Sequence, residues 1–243
     1  MSGSRRSSDH ERRQEAARVT GFLRDNALGL AFLLAFAAAL VGQAFAGRAE
    51  FNSQLAVDGF ARVGFWEYVS SSDFAVDVTE NWQSEYLQFF LYITATIWLL
   101  QRGSPESKKM GTAGTETDQD QRVGRHAGSD SPAWAGAGGW RQHVFSRSLG
   151  LVMGGIFVLS WLAQSVTGVA AYNEQRLRDL QAPVDWDQYV VSADFWDRTL
   201  QNWQSEFLAI ASMAVLSIYL RQRGSPESKP VGASHKATGV EGG

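Results

Sequence analysis

Four stretches of the chain carry no charged residue, and glycine, serine and charge collect between and outside them. The first, Ala27–Gly47, reads ALGLAFLLAFAAALVGQAFAG, and the third, Leu149–Ala171, is of similar length. A bilayer core about 30 Å thick takes roughly 20 such residues as a helix. The second and fourth stretches, Tyr86–Leu100 and Phe207–Leu220, are shorter. Each spans only if the preceding Asn-Trp-Gln-Ser-Glu segment enters the membrane edge. The pattern therefore predicts an all-α membrane protein with four transmembrane helices, at about 27–47, 82–101, 149–171 and 203–221.

The first stretch has a rival reading. An arginine-rich start, an apolar run and Ala44-Phe45-Ala46 look like a cleavable export signal. An internal repeat decides against it. A shift of 121 positions aligns the two halves without a gap and brings Asn81-Trp82-Gln83-Ser84-Glu85 onto Asn202-Trp203-Gln204-Ser205-Glu206. Gln101-Arg102-Gly103-Ser104-Pro105-Glu106-Ser107-Lys108 falls letter for letter on Gln222 to Lys229. Gly29, Gln43, Gly47, Asn52, Tyr68, Ser71 and Phe74 match Gly150, Gln164, Gly168, Asn173, Tyr189, Ser192 and Phe195. The first stretch is the counterpart of the third, which has no use for a cleavage site, so both are read as retained helices.

Basic residues near the membrane ends set orientation. They crowd the N-terminal tail, the central linker and the C-terminal tail, whereas the two remaining loops are acidic, with Asp73, Asp77 and Glu80 in one and Asp185, Asp194 and Asp197 in the other. Both termini and the linker are expected in the cytoplasm, with the acidic loops outside. Each repeat is then a helical hairpin, and two tandem hairpins of one orientation form a parallel repeat. The expected boundaries are a disordered tail at 1–20, a first hairpin at 21–108, a disordered linker at 109–145, a second hairpin at 146–229 and a disordered tail at 230–243. The tails and linker are rich in Gly, Ser, Thr and Asp and lack the periodicity that buries a core. The outer loops keep aromatic residues such as Phe65, Trp66, Tyr68, Trp186 and Tyr189, and are expected to be structured against the membrane surface.

Composition adds mainly exclusions. The absence of cysteine removes disulfides, thiolate metal sites and cysteine nucleophiles. A formal net charge of −3 argues against a general nucleic-acid binder. His10, His126, His143 and His235 all lie in tails or linker, so the helices offer no histidine metal site. No nucleophile–base pair, enclosed carboxylate pair or cofactor motif is visible. No enzyme activity, cofactor or metal is therefore expected, and no catalytic residue is named.

The duplicated Asn-Trp-Gln-Ser-Glu segment is the most informative one. Ser71 or Asp73, and Ser192 or Asp194, can cap a helix that runs outside the membrane for about two turns before entering it. Asn81, Glu85 and Gln88 then share one helix face, as do Asn202 and Glu206. Depth counting puts Gln43 level with Glu85 and Gln164 level with Glu206. Gln43, Asn81, Glu85, Gln164, Asn202 and Glu206 thus form a candidate intramembrane polar cluster, with Trp82, Trp203, Arg102 and Arg223 as interfacial anchors. Two readings stand. The cluster is a polar clamp that fixes each hairpin, at about 0.6 kcal/mol per interhelical hydrogen bond, or it is a cation or proton site.

In the repeated Gln-Arg-Gly-Ser-Pro-Glu-Ser-Lys, arginine anchors at the headgroups, glycine caps and proline stops the helix. That does not explain why Glu106, Ser107 and Lys108 recur, and a site for a lipid headgroup or cytoplasmic partner stays open. Small-residue stripes at Gly150 and Gly154, and at Ala35, Ala39, Gly42 and Ala46, read as helix packing.

With both doubled motifs in hand, roughly Asp25–Lys108 and Arg147–Lys229 resemble an uncharacterised family of bacterial multi-pass membrane proteins, a domain-of-unknown-function group. The resemblance implies a plasma-membrane protein of this repeated layout and carries over no activity or functional residue. The expected role is structural or interaction-based, the alternative a small cation- or proton-coupled carrier or channel using the glutamates. Partners are the lipid bilayer, a second copy of the chain if it carries solute, and a membrane or cytoplasmic protein, with no nucleic acid.

Overall fold

A computed structural model describes residues 15 and 17–239, and among these every regular element is helical. The expected disorder up to residue 14, at residue 16 and at 240–243 lies outside the described residues. After a helical run at 17–25, the long elements are α1 (Ala27–Val57), α3 (Ser72–Ala95), α6 (Ser148–Arg178) and α8 (Ala193–Tyr219). Between them lie the short α2 (Phe65–Val69), α4 (Ala133–Gly136), α5 (Gly139–Phe145) and α7 (Trp186–Val190). The chain divides into two compact units, residues 1–74 and 75–243.

Among the described residues, only α1 and α6 are long and apolar enough to cross a membrane. Both run past the predicted ends, Gly47 and Ala171, to Val57 and Arg178, because the polar segments that follow remain good helix formers. α3 and α8 begin far outside their apolar parts and stop early, α3 at Ala95 rather than near residue 101. Their first halves carry Asp73, Asp77, Glu80 and Glu85, and Asp194, Asp197, Arg198 and Glu206. From Trp82 to Ala95 the helix rises only about 20 Å, short of a bilayer core.

In the first unit, α1 turns back at Asp58 and the chain returns as α2. The turn closes on one side chain: Val63 N–H donates to Asn52 Oδ1 (2.7 Å) and Asn52 Nδ2 donates to the Val63 carbonyl (3.2 Å). The returning Tyr68 is buried and lies against Gly47, where any Cβ would fall 2.2 Å from its hydroxyl. Tyr68 also meets Phe51 and Phe74, each at 5.6 Å between ring centroids. Ser71 Oγ then accepts from Phe74 N–H and starts α3.

In the second unit the same arrangement occurs 121 positions on. Val184 N–H donates to Asn173 Oδ1 (2.8 Å), and Asn173 Nδ2 donates to the Val184 carbonyl (2.9 Å). Tyr189 is fully buried against Gly168 and meets Tyr172 and Phe195 at 5.4 and 5.6 Å. Ser192 caps α8 through Phe195 N–H. The expected serine caps and ordered aromatic loops are both present.

The linker and the described part of the C-terminal tail, residues 230–239, carry local turns and hydrogen bonds. The linker holds a 3-10 turn at Gly124–His126, α4 and α5, with Trp134 edge-on to Trp140 and Arg122 paired with Asp130. Local caps, such as Thr117 N–H on Asp120 Oδ2, satisfy the backbone where no apolar period exists. Residues 233–239 are held against the first copy of the Gln-Arg-Gly-Ser-Pro-Glu-Ser-Lys loop: Gly103 N–H donates to Thr238 Oγ1 and Gly239 N–H to the Ser104 carbonyl.

One position separates the two outer turns. Gly59 ends α1 in the left-handed region (φ +79°), and its counterpart Leu180 adopts φ +58° after α6 while 96% exposed. A left-handed conformation costs a residue with a Cβ about 1–2 kcal/mol, and glycine avoids it. Leu180→Gly is expected to raise the thermal midpoint by about 2–4 °C, and Gly59→Leu to lower it by a similar amount. Differential scanning calorimetry of the two variants checks both signs.

Candidate functional site

The polar residues of the second unit gather where the N-terminal parts of α3 and α8 approach the middle of α6. Glu80 accepts from Arg198 Nη1 at 3.2 Å, Trp203 Nε1 donates to Gln83 Oε1 at 2.8 Å, and Gln88 Nε2 reaches the Glu206 carbonyl at 3.5 Å. These pairs are offset by 118, 120 and 118 residues. A nearly constant offset means that α3 and α8 run parallel here, and its closeness to 121 puts equivalent residues at similar height.

Arg198 stands among Glu80, Asp194 (3.5 Å) and Asp77 (3.8 Å). Burial pushes the Asp77 and Glu80 carboxyls above their ordinary range, and Arg198 opposes this without cancelling it. Burial, reinforced by the Asp194 charge, also raises the Tyr189 phenol, whose hydroxyl donates to Asp194 Oδ2 at 3.2 Å.

Below the ion cluster lies a fully buried polar layer. Gln83, Gln164 and Thr199 each have no exposed surface, and Gln164 Nε2 donates to Thr199 Oγ1 at 3.5 Å. Aromatic rings seal it: Trp161 packs on Trp203 at 5.7 Å between centroids, on Phe195 at 6.1 Å and on Phe157 at 5.7 Å.

The candidate cluster is thus only partly assembled. Gln164 turns to Thr199, not to Glu206, because Thr199 lies about two turns further out on α8 and presents its hydroxyl to the buried face. Among the described residues no hydrogen bond holds the Glu85 or Glu206 carboxylate; Glu85 is exposed and lies within Coulomb range of the half-buried Glu206. Asn81 and Asn202 do not cross to a neighbouring helix. Each donates back to its own helix, to the Asp77 and Arg198 carbonyls. Gln43 is half-buried on α1 in the first unit. Of the expected anchors, Trp203 is tied to Gln83, whereas Trp82, Arg102 and Arg223 are exposed.

Sequence reasoning missed Gln83, Arg198 and Thr199. Helical spacing from Asn81 and Glu85 selected one face, and Gln83 sits on another. Arg198 replaces its counterpart Asp77, and Thr199 replaces Val78. A reversed charge inside a repeated segment was the available signal, since identical copies packed side by side would face acid with acid.

The repeated Gln-Arg-Gly-Ser-Pro-Glu-Ser-Lys folds as a self-closing loop in both copies. Ser107 Oγ accepts from Gln101 N–H and Ser228 Oγ from Gln222 N–H, each at 2.9 Å. Gly103 and Gly224 are left-handed (φ +89° and +83°). The recurrence of serine therefore has a backbone reason. The lysines diverge. Lys108 pairs with Glu116, whereas Lys229 is buried and shares its N–H donors among the carbonyls of Gly103 (2.6 Å), Ser234 (3.3 Å), His235 (3.2 Å) and Ala237 (3.3 Å). Burial lowers its affinity for the proton. Glu106 accepts from Tyr92 Oη, which Met213 replaces in the second copy.

The family described as a domain of unknown function, DUF6766, matches residues 19–240. The chain belongs to that family. No curated protein and no solved structure matches it. The family match spans both hairpins and the linker, so the asymmetric contacts just described lie within a single family unit.

The raised carboxyls fix a pH dependence. A group that holds its proton more tightly when folded favours folding as pH falls through its folded value, and the gain is complete at its unfolded value. The window opens above the ordinary values of 3.8 for Asp77 and 4.5 for Glu80. The thermal midpoint is expected to rise as pH is lowered from neutrality into that window. D77N/E80Q is expected to flatten that slope relative to the parent in the same titration.

Proposed function

We propose that the chain is a multi-pass protein of the bacterial plasma membrane, with four membrane spans in two tandem hairpins and both termini in the cytoplasm. Its role is structural or that of an interaction platform, and the two rigid outer turns are its docking face. No chemical turnover is assigned to it. The observation that carries the membrane reading is exposure: Leu28, Phe32 and Leu34 on α1 are 70–75% exposed, and Leu159 on α6 is 68% exposed. Soluble monomers rarely display apolar surface on this scale, whereas lipid accepts it. Support for a structural role comes from the polar layer, whose partners are one another: Gln83 with Trp203 and Gln164 with Thr199.

A carrier or channel is the second reading, favoured by the two carboxylates that no hydrogen bond holds. Such a side chain at membrane depth is costly and is retained for a reason. Four spans are few for solute passage, so this reading calls for a homodimer.

Topology is read by single cysteines in a chain that has none of its own. A membrane-impermeant maleimide on intact cells is expected to label Ser70→Cys and Asp179→Cys, and to label Thr115→Cys only after permeabilisation. Labelling of the linker from outside refutes the orientation. The two roles separate on E85Q/E206Q. The structural reading expects a midpoint change of no more than about 2–4 °C, corresponding to about 1 kcal/mol, and no change in proton or cation flux in proteoliposomes. Flux that is present in the parent and abolished in the variant decides for the carrier.

A further inference from the structure

Three buried polar atoms of the α3–α6–α8 cluster lack a protein partner: Gln83 Nε2, Trp161 Nε1 and Gln164 Oε1. They belong to one packed group. Gln83 is joined through its own Oε1 to Trp203, Trp203 packs at a tilt against Trp161, and Gln164 follows Trp161 by one helical turn on α6. Gln164 is in turn bonded to Thr199, one turn before Trp203 on α8.

An unpaired polar group in such surroundings loses its hydration without return, and the large majority of buried polar groups in native proteins have a partner. Three in a single cluster, two donors and one acceptor, form a complementary set. We propose that Gln83, Trp161 and Gln164 form a binding site for structural water, which accepts from the indole and amide N–H groups and donates to the Gln164 carbonyl oxygen.

The chemistry of the set selects the guest. A bare cation gains nothing from two N–H donors. An anion gains nothing from Gln164 Oε1 and is charged in a site sealed by Phe157, Phe195 and Trp203. A neutral molecule that both donates and accepts satisfies all three atoms, and water is the smallest. Reversing the Gln164 amide exchanges its free oxygen for a free N–H, because the Thr199 hydroxyl can donate as well as accept. Water suits the orientation in which Gln164 Oε1 is free, because its two lone pairs accept two N–H donors and its own O–H donates to the oxygen. Bound waters of this kind make about three hydrogen bonds each. Gln83 comes from the first copy of Asn-Trp-Gln-Ser-Glu, while Trp161 and Gln164 come from the second repeat. The water joins the two copies where their direct hydrogen bonds leave a remainder, and it does so whether or not the glutamates carry ions.

The test uses the full chain, labelled with 15N-tryptophan, in lipid nanodiscs. The indole N–H of Trp161 is expected to show a cross-peak to water in NOE and ROE spectra, with the opposite signs that mark a long-lived bound molecule. Gln164→Leu removes one wall of the site and is expected to weaken that cross-peak. An indole proton with no contact to water overturns the proposal. Trp161→Phe provides an independent sign. With water bound, losing the donor is expected to lower the midpoint by about 2–4 °C. A dry, orphaned N–H gives a rise instead, and that result also overturns the proposal.

Discussion

Each outer turn depends on one asparagine side chain. Where the chain reverses after a long helix, the backbone N–H and carbonyl of a single residue turn inward, Val63 in one repeat and Val184 in the other. Left unpaired, each buried group costs about 1–3 kcal/mol. One primary amide offers a donor and an acceptor side by side, and Asn52 and Asn173 satisfy both groups at once. The returning segment is thereby held at a fixed distance from its helix. Tyr68 and Tyr189 then fit only because Gly47 and Gly168 leave room for the phenol. The aromatic triads close around the tyrosines, and Ser71 and Ser192 are placed to start the next helix. Removing the amide releases the whole sequence of contacts.

On this common scaffold, differences between the copies sit where α3 and α8 touch. Two identical helices packed in parallel and in register would oppose Asp77 to its own counterpart. Arginine at 198 converts that repulsion into an ion cluster with Glu80, Asp77 and Asp194. Threonine at 199 supplies a hydroxyl where the first copy has Val78, and it draws Gln164 away from Glu206. The polar layer is consequently lopsided: Trp203 serves Gln83, while Trp82 remains exposed. A pair of equal hairpins has become one unequal interface.

The opposite end shows the same drift. Both exit loops close through a serine that accepts from the glutamine six residues earlier. Only in the second does the lysine fold inward, its ammonium held by four carbonyl oxygens and, among the described residues, by no carboxylate. Three of those carbonyls come from residues 234–237, so desolvating the charge obliges the tail to wrap around it. An apolar core is not the only means of ordering a glycine- and serine-rich segment. A buried cation that needs acceptors achieves it too.

The sequence by itself determined the membrane-length apolar runs, the 121-residue repeat, the serine caps and the structured outer turns. Each of these follows from local composition or from periodicity within one segment. The helix ends were less legible, because mixed stretches such as Arg48–Val57 continue a helix past the end of the charge-free run. Partner choice was not legible at all. Depth counting along single helices set Gln164 level with Glu206, yet a hydrogen bond is decided by the rotation of two helices about their axes as well as by height. Tertiary packing turned Thr199 and Gln83 inward and Glu85 outward, and it folded the tail onto Lys229. Those outcomes depend on which faces meet across 100 or more residues, and no local pattern records that.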